Sequence, residues 1–343
     1  MQALVYLLSF VLFGSTWLGF QLGGWWSFLP LGIAFGLIPL LELFLKPDAE
    51  NASGSTLNLR LKNGLYDGLL YACVPLHFGF MLYYLFLMKG ASNTSGLSLA
   101  GYTVSMAILN GVFGINVAHE LGHRTRPFER FLAQALLSST LYAHFYIEHN
   151  RGHHKHVGSA LDPATARLNE WLYTFWIRSI VGSYVSAWKL EAERLKRFKK
   201  GVLSAQNAML WYSLISLGML FGIGLWGGWW SLLGFLLSAL GGILLLETVN
   251  YIEHYGLMRQ KVGPNRYENV RPVHSWNSNH RIGRWFLFEL SRHSDHHHQP
   301  HKKYQTLAHH EDSPQLPTGY PGMMLLSLLP PLFFWVMNRR LPA

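Results

Sequence analysis

Sulfur ligands are almost absent from this chain, which holds one cysteine, Cys73, set in an apolar run. That count excludes an internal disulfide, a cysteine-ligated zinc site and a rubredoxin-like iron site within the chain. Charge is scarce as well. Lys, Arg, Asp and Glu make up 13% of the 343 residues, against about 25% in a soluble domain. Half of the residues are hydrophobic and the mean hydropathy is positive. An integral membrane protein is therefore expected. Acidic residues are outnumbered by basic ones, 18 to 28, for a net charge of +10. Such a charge can signal nucleic acid, but its placement along the chain points elsewhere.

Crossing ~30 Å of hydrocarbon takes about 20 apolar residues. Six segments meet or approach that length, at about 2–21, 25–45, 65–88, 97–118, 208–226 and 229–250. The first has no basic leader and no clear small-residue cleavage site, so it reads as a retained helix rather than a signal peptide. Gly-Gly-Trp-Trp at 23–26 and Trp226-Gly-Gly-Trp229 are too short for anything but hairpin turns, and they place Trp at headgroup level. With the N-terminus in the cytoplasm, every Lys and Arg except Lys89 falls on the cytoplasmic side. Charge thus records membrane orientation, and nucleic acid is set aside. The reading is a single all-α membrane domain over 1–343, with six transmembrane helices and a cytoplasmic helical cap from 119–207 and 251–319. A multi-pass protein of the bacterial inner membrane is expected, its active site on the cytoplasmic side. Asp162-Pro163 reads as a helix start, opening a helix to about Lys200 that lies at the interface. The apolar tail 320–338, broken by Pro330-Pro331, reads as a further interfacial piece.

Histidine is the residue in excess, with 18 copies. Four clusters stand out: HELGH at 119–123, EHNRGHH at 148–154, NYIEHYG at 250–256 and RHSDHH at 292–297. Positions i and i+3 or i+4 share a helix face. His119 with His123, His149 with His153, and His293 with His296 and His297 are each expected to grip one cation. Imidazole suits iron, zinc and copper. Adding His154 and His254 gives nine ligands, more than one metal can use, so a dinuclear centre is expected. Glu120, Glu148, Glu253 and Asp295 are expected to orient the imidazoles by accepting their second N–H. Glu120, Glu253 and Asp295 are the candidate catalytic carboxylates. Two other classes compete. His119-Glu120-Leu-Gly-His123 is a literal H-E-x-x-H, the zinc metalloprotease signature, but that reading leaves the other clusters unexplained. A metal transporter would line its spans with histidine, and here the spans hold only His77.

These four motifs, with HSWNSN at 274–279 and YQTL at 304–307, resemble the bacterial integral-membrane alkane 1-monooxygenases. Xylene monooxygenase hydroxylase subunits are close relatives, within a superfamily of membrane fatty-acid desaturases and hydroxylases. The resemblance spans about residues 100–320. It implies six membrane helices, a non-haem di-iron centre and O2 as cosubstrate. Iron ligands carried over by motif are His119, His123, His149, His153, His154, His254, His293, His296 and His297. It implies terminal hydroxylation of an alkane or related hydrocarbon, with a xylene-type aromatic methyl hydroxylase or a fatty-acyl desaturase as the alternatives. The implied partners are a hydrophobic small molecule, membrane lipid and an electron-transfer protein, either rubredoxin or a ferredoxin-type reductase. An acidic carrier is expected to dock near Arg124, Arg126 or the 292–303 stretch. The run Val157-Gly-Ser-Ala-Leu161 departs from the family pattern, which leaves alkane against aromatic methyl open.

Overall fold

In hydrocarbon every backbone N–H and C=O must find its partner within its own segment, so long apolar runs become helices. The computed structural model describes residues 2–264 and 266–342. Helices α1 (Gln2–Leu22) and α2 (Gly24–Phe44) form the first hairpin. Next come α3 (Gly54–Lys62), α4 (Leu65–Lys89) and α5 (Gly96–Gly122). The cap opens with α6 (Pro127–Ser139), α7 (145–156) and α8 (Leu172–Arg197). A 47-residue α9 (Ala208–His254) returns through the apolar layer. A small antiparallel ribbon, β1 (Lys261–Gly263) with β2 (Arg266–Tyr267), adds a strand pair to the expected all-helical cap. Short helices α10 (Arg281–Phe286), α11 (His293–His298), α12 (Tyr320–Ser327) and α13 (Pro330–Met337) complete the chain.

Among the described residues, five helices are long and apolar enough to cross a bilayer: α1, α2, α4, α5 and α9. The last is two limbs, 208–227 and 229–254, broken at Gly228 with φ 70° and ψ −167°. Gly23, between α1 and α2, has nearly the same backbone, φ 63° and ψ −164°. Only glycine adopts that conformation without penalty. Trp25, Trp26, Trp226 and Trp229 stand exposed at these two breaks, and Lys89 lies 4.7 Å over the Trp226 ring. Leu43, Phe44, Leu82, Phe86, Leu217 and Phe221 are exposed along the helices. So much outward apolar surface belongs in lipid.

The cap differs from expectation in two places. Asp162-Pro163 does not start a helix; α8 begins ten residues later, at Leu172. The Asp162 carboxylate accepts from the Thr165 hydroxyl and the Ala164 N–H and faces His153 Nδ1 instead of capping a helix. Helix α8 packs on the second limb of α9: Phe175 packs on Tyr251 and Trp176 Nε1 donates to Thr248, while Ile177, Val181 and Val185 face outward. The tail forms two eight-residue helices, α12 and α13, too short to span.

Small residues let α9 approach α5. A Cβ on Gly241 would come within 2.6 Å of Ala107 Cβ, and one on Gly242 within 2.6 Å of Asn110 Cβ. Such close backbone packing is a common means of joining helices in lipid. Gly242→Val is expected to destabilise the protein by about 1–3 kcal/mol through overpacking, measured by denaturant titration in detergent micelles. Gly224→Ala, where the nearest neighbour is 3.7 Å away, is the control expected to change little.

Candidate metal centre

The nine histidines singled out in the sequence converge at the end of the bundle away from the Trp-bearing turns. They form two groups. His119, His123, His149, His154 and His296 offer ring nitrogens within 4.8 Å of one another, and so do His153, His254, His293 and His297. All except the half-buried His154 are buried. In the first group Nε2 atoms face Nε2 atoms: His119–His296 at 2.9 Å, His123–His149 at 3.0 Å and His149–His154 at 3.0 Å. In the second, His153–His297 and His254–His293 are each 3.2 Å apart. For a metal–nitrogen bond of about 2.1 Å, adjacent ligands at a right angle lie ~3.0 Å apart. The spacing therefore fits two sets of ligands around two cations.

The grouping of the nitrogens differs from the helical pairing expected from spacing. His149 and His153 fall in different groups; His149 goes with His154, five residues on. The physical reason is a π-helical segment, His149–His153, whose i→i+5 pattern widens the turn and aligns residues five apart. Gly152 leaves room for Glu148 against this turn, since a Cβ there would lie 2.5 Å from Glu148 Oε1. His293 and His296 likewise separate, while His293 and His297, four apart, stay together.

Burial, reinforced by neighbouring imidazoles, holds His123, His149, His154, His293, His296 and His297 well below the ordinary histidine range. They are neutral at physiological pH, the form that binds metal. His153 is the exception. Burial, the largest single influence, lowers its affinity for a proton, but Asp162, Glu148 and Glu247 together raise it. The His153 Nδ1–Asp162 Oδ2 distance is 3.0 Å. Asp162 is the carboxylate that orients a ligand imidazole, and it was not expected from the sequence. Its nine-residue offset from His153 is outside any single-helix pattern, and the following proline suggested a helix cap.

Two of the expected carboxylates, Glu120 and Asp295, face other partners. Glu120 does not face an imidazole. Its Oε1 accepts from Arg124 Nε and Nη2, at 3.0 and 2.6 Å, and from the Tyr304 N–H at 3.1 Å. This clamps the HELGH segment to YQTL, and it removes the general base that a zinc protease would need. Asp295 accepts from Lys302, His310 and the Ala308 N–H, tying the 302–310 loop to α11. Glu148 meets Ser186 Oγ at 3.4 Å. Only Glu253 lies at the nitrogens, with Oε2 3.1 Å from His293 Nε2 and a buried Oε1 that has no partner. Among the remaining histidines, His77 bonds to Ser139, His274 to the Arg271 N–H and His280 to Ser278.

An apolar cavity of about 70 Å³ opens between α2, α5 and α9, with Asn116 its sole polar lining residue. A second, much smaller space of about 10 Å³ is lined by His119, His149, His293 and Glu253. The two share Asn116, Leu246, Val249 and Leu290 as walls. Two π-helical segments, Ile33–Leu37 and Asn110–Asn116, border the larger one. Its walls offer shape and apolar contact but no charge.

A membrane protein whose helix ends carry paired histidine nests against an apolar cavity is built for metal-dependent chemistry on a hydrophobic molecule. The fatty acid desaturase family profile matches residues 95–327. Alkane 1-monooxygenase 2 of Pseudomonas aeruginosa is 38% identical over 95% of this chain and 89% of its own length. An alkane 1-monooxygenase of Ectopseudomonas oleovorans is 39% identical, covering 92% and 79%. The xylene/toluene monooxygenase hydroxylase component XylM of Pseudomonas putida is 30% identical, covering 97% and 87%. The chain belongs to the membrane fatty acid desaturase family, within the group formed by the alkane 1-monooxygenases. It is an oxidoreductase of the monooxygenase type.

Asp162→Asn is expected to weaken metal retention about 10- to 100-fold, as loss of a carboxylate behind a ligand histidine does. Metal content after graded chelator dialysis measures this. Asp295→Asn, which touches no ligand nitrogen, is expected to retain metal at chelator concentrations that strip Asp162→Asn.

Proposed function

We propose that this chain hydroxylates saturated hydrocarbons at a terminal carbon, giving primary alcohols, at a pair of irons on the cytoplasmic side of a bacterial inner membrane. The observation that carries the reading is the apolar cavity sharing walls with the space beneath the histidine nitrogens. The all-imidazole donor set suits iron. His119, His123, His149, His154 and His296 would hold one ion, and His153, His254, His293 and His297 the other. Iron bound there supplies dioxygen activation: one oxygen atom enters the C–H bond, and the other leaves as water with two electrons and two protons.

The protein's own share is placement and exclusion. An alkyl chain in the cavity loses contact with water and has its end directed past Asn116 toward the nitrogens. The Asn116 amide is anchored on the Leu287 carbonyl at 3.0 Å, which keeps its polar face fixed. Glu253 is the carboxylate positioned to take up or pass a proton beside the four-histidine group. Glu120 and Asp295 act through others: they hold the histidine segments against the 302–310 loop. Counting the limbs of α9 separately gives the six crossings of the proposed topology.

Electrons come from a soluble carrier, a rubredoxin or a ferredoxin-type reductase. The docking surface is narrower than the basic residues in the sequence suggest. Arg124 is buried against Glu120 and Asp67, and Arg292 is buried with its guanidinium on backbone carbonyls. Lys302 and Lys303 pair with Asp295 and Asp67. Arg126 remains exposed. Turnover with a saturable acidic carrier is expected to slow as ionic strength rises, and Arg126→Glu to raise the carrier KM; indifference to both removes the docking assignment.

The purified protein in lipid nanodiscs, supplied with carrier and reductase, is to be given octane, hexadecane and para-xylene. Primary alkanols are the expected products. Benzylic alcohol alone, or alkenes from labelled saturated chains, would overturn the alkane reading in favour of its two alternatives. His154→Ala and His297→Ala are each expected to lower bound iron and abolish oxygenation while the protein stays in the membrane. Full iron content with wild-type alcohol formation would falsify the ligand assignment.

A further inference from the structure

A third cavity, of about 370 Å³, lies on the other side of the 141–145 segment from the metal centre and shares no lining residue with the two described above. Its walls come from that segment, from Tyr184 of α8 and from the first limb of α9. Phe145 faces the metal-side space, whereas Leu141, Ala143 and His144 face this one. His144 is buried, and its Nε2 has no hydrogen-bond partner. The ring is wedged edge-on between Tyr142 and Tyr184, with centroids 4.4 and 5.2 Å away. A buried imidazole nitrogen with no partner carries a desolvation cost that a ligand would relieve. The backbone is also unusual here: Leu141 sits in the left-handed region at φ 58°, which L residues adopt at a cost that functional sites tend to carry.

The lining decides the chemistry of the occupant. Leu141, Met209, Leu217 and Leu220 give an apolar surface, and Ser213, Ser216 and Tyr212 give hydroxyls. The Tyr212 and Ser213 hydroxyls already donate within the protein, to Gln134 and to the Met209 carbonyl. No Lys, Arg, Asp or Glu lines the cavity. A phosphate or carboxylate would have no counter-charge there, and a purely apolar chain would leave His144 unsatisfied. Burial pushes the His144 pKa down to about 4, so the imidazole is neutral at physiological pH and suits a neutral hydroxyl.

We propose that this cavity binds a long-chain primary alcohol, its hydroxyl hydrogen-bonded to His144 Nε2 and its chain lying along Met209, Leu217 and Leu220. The choice of ligand rests on the hydroxylase reading, since that reaction makes such an alcohol; the cavity is then a holding site on the product's way to the lipid. Diacylglycerol offers the same neutral hydroxyl from the membrane, and the test separates the two.

The test uses the full-length, metal-loaded protein in nanodiscs, with no reductant, titrated with isotope-labelled 1-dodecanol and read by native mass spectrometry. Saturable binding at one per chain is expected, weakened at least tenfold by His144→Phe and by Ser216→Phe, and unaffected by excess dodecane. Ser216 is half-buried on the lipid-side limb, so its variant tests the site without disturbing the His144 packing. Retained metal content reports folding of both. Unchanged affinity in either folded variant, displacement of the alcohol by dodecane, or His144-dependent binding of diacylglycerol but not dodecanol would overturn the proposal. Alkane turnover on the same preparation is a separate readout. Dodecanol binding through His144 without alkane oxidation keeps this site and removes the hydroxylase reading; alkane oxidation without His144-dependent binding removes the site alone.

Discussion

Nine imidazoles are crowded out of water with their nitrogens about as close as hydrogen-bonded atoms, and the rest of the cap answers to that crowding. A pair of facing nitrogens can share one proton at best, and several nitrogens here face two others, as His154 faces both His123 and His149. Hydrogen bonds cannot satisfy such a set, whereas a cation at the centre of each group satisfies all its nitrogens at once. The helices that carry them must end at one depth, which is why α5 and α9 both terminate in histidine motifs. Bracing follows from the same need. Arg292 reaches back to carbonyls of Glu50 and Leu307, and Glu120 reaches across to Tyr304. The polar segments that look like loops in the sequence are ties that fix the height and tilt of the histidine-bearing helices.

Beside this rigid polar floor, the substrate-side cavity is almost without polar character. The contrast suits chemistry on a molecule that has no functional group to grasp: position must come from walls, and reactivity from the floor. π-helical segments occur on both sides of the boundary, in α2 and α5 along the cavity and in α7 at the metal centre. Each inserts a residue into a helical turn and so moves the side chains that follow it.

The sequence made the histidine set legible because ligands come in clusters and clusters on helices repeat at known intervals. The spans were legible for a similar reason, since hydropathy is a sum over twenty residues and tolerates local error. What failed depended on local geometry. The grouping of the histidines was hidden because the π turn at 149–153 leaves no mark in composition. Asp162 was read as a cap because Asp-Pro usually is one, and its real partner lies nine residues back across a turn. Glu120 and Asp295 adjoin ligand histidines in sequence, yet side chains next to one another on a helix point different ways, and both leave the metal side. Arg124 looked like surface charge because nothing in the sequence tells that Asp67 and Glu120 enclose it.

The wide turn in α7 has a consequence for the motif EHNRGHH itself. It sends consecutive residues, His153 and His154, to different histidine groups, so one peptide unit ties the two nests together. Any shift of α7, whether from the α8 side through Leu190 or from the lipid, must alter both nests together and cannot retune one alone. The two nests are in this sense a single mechanical part.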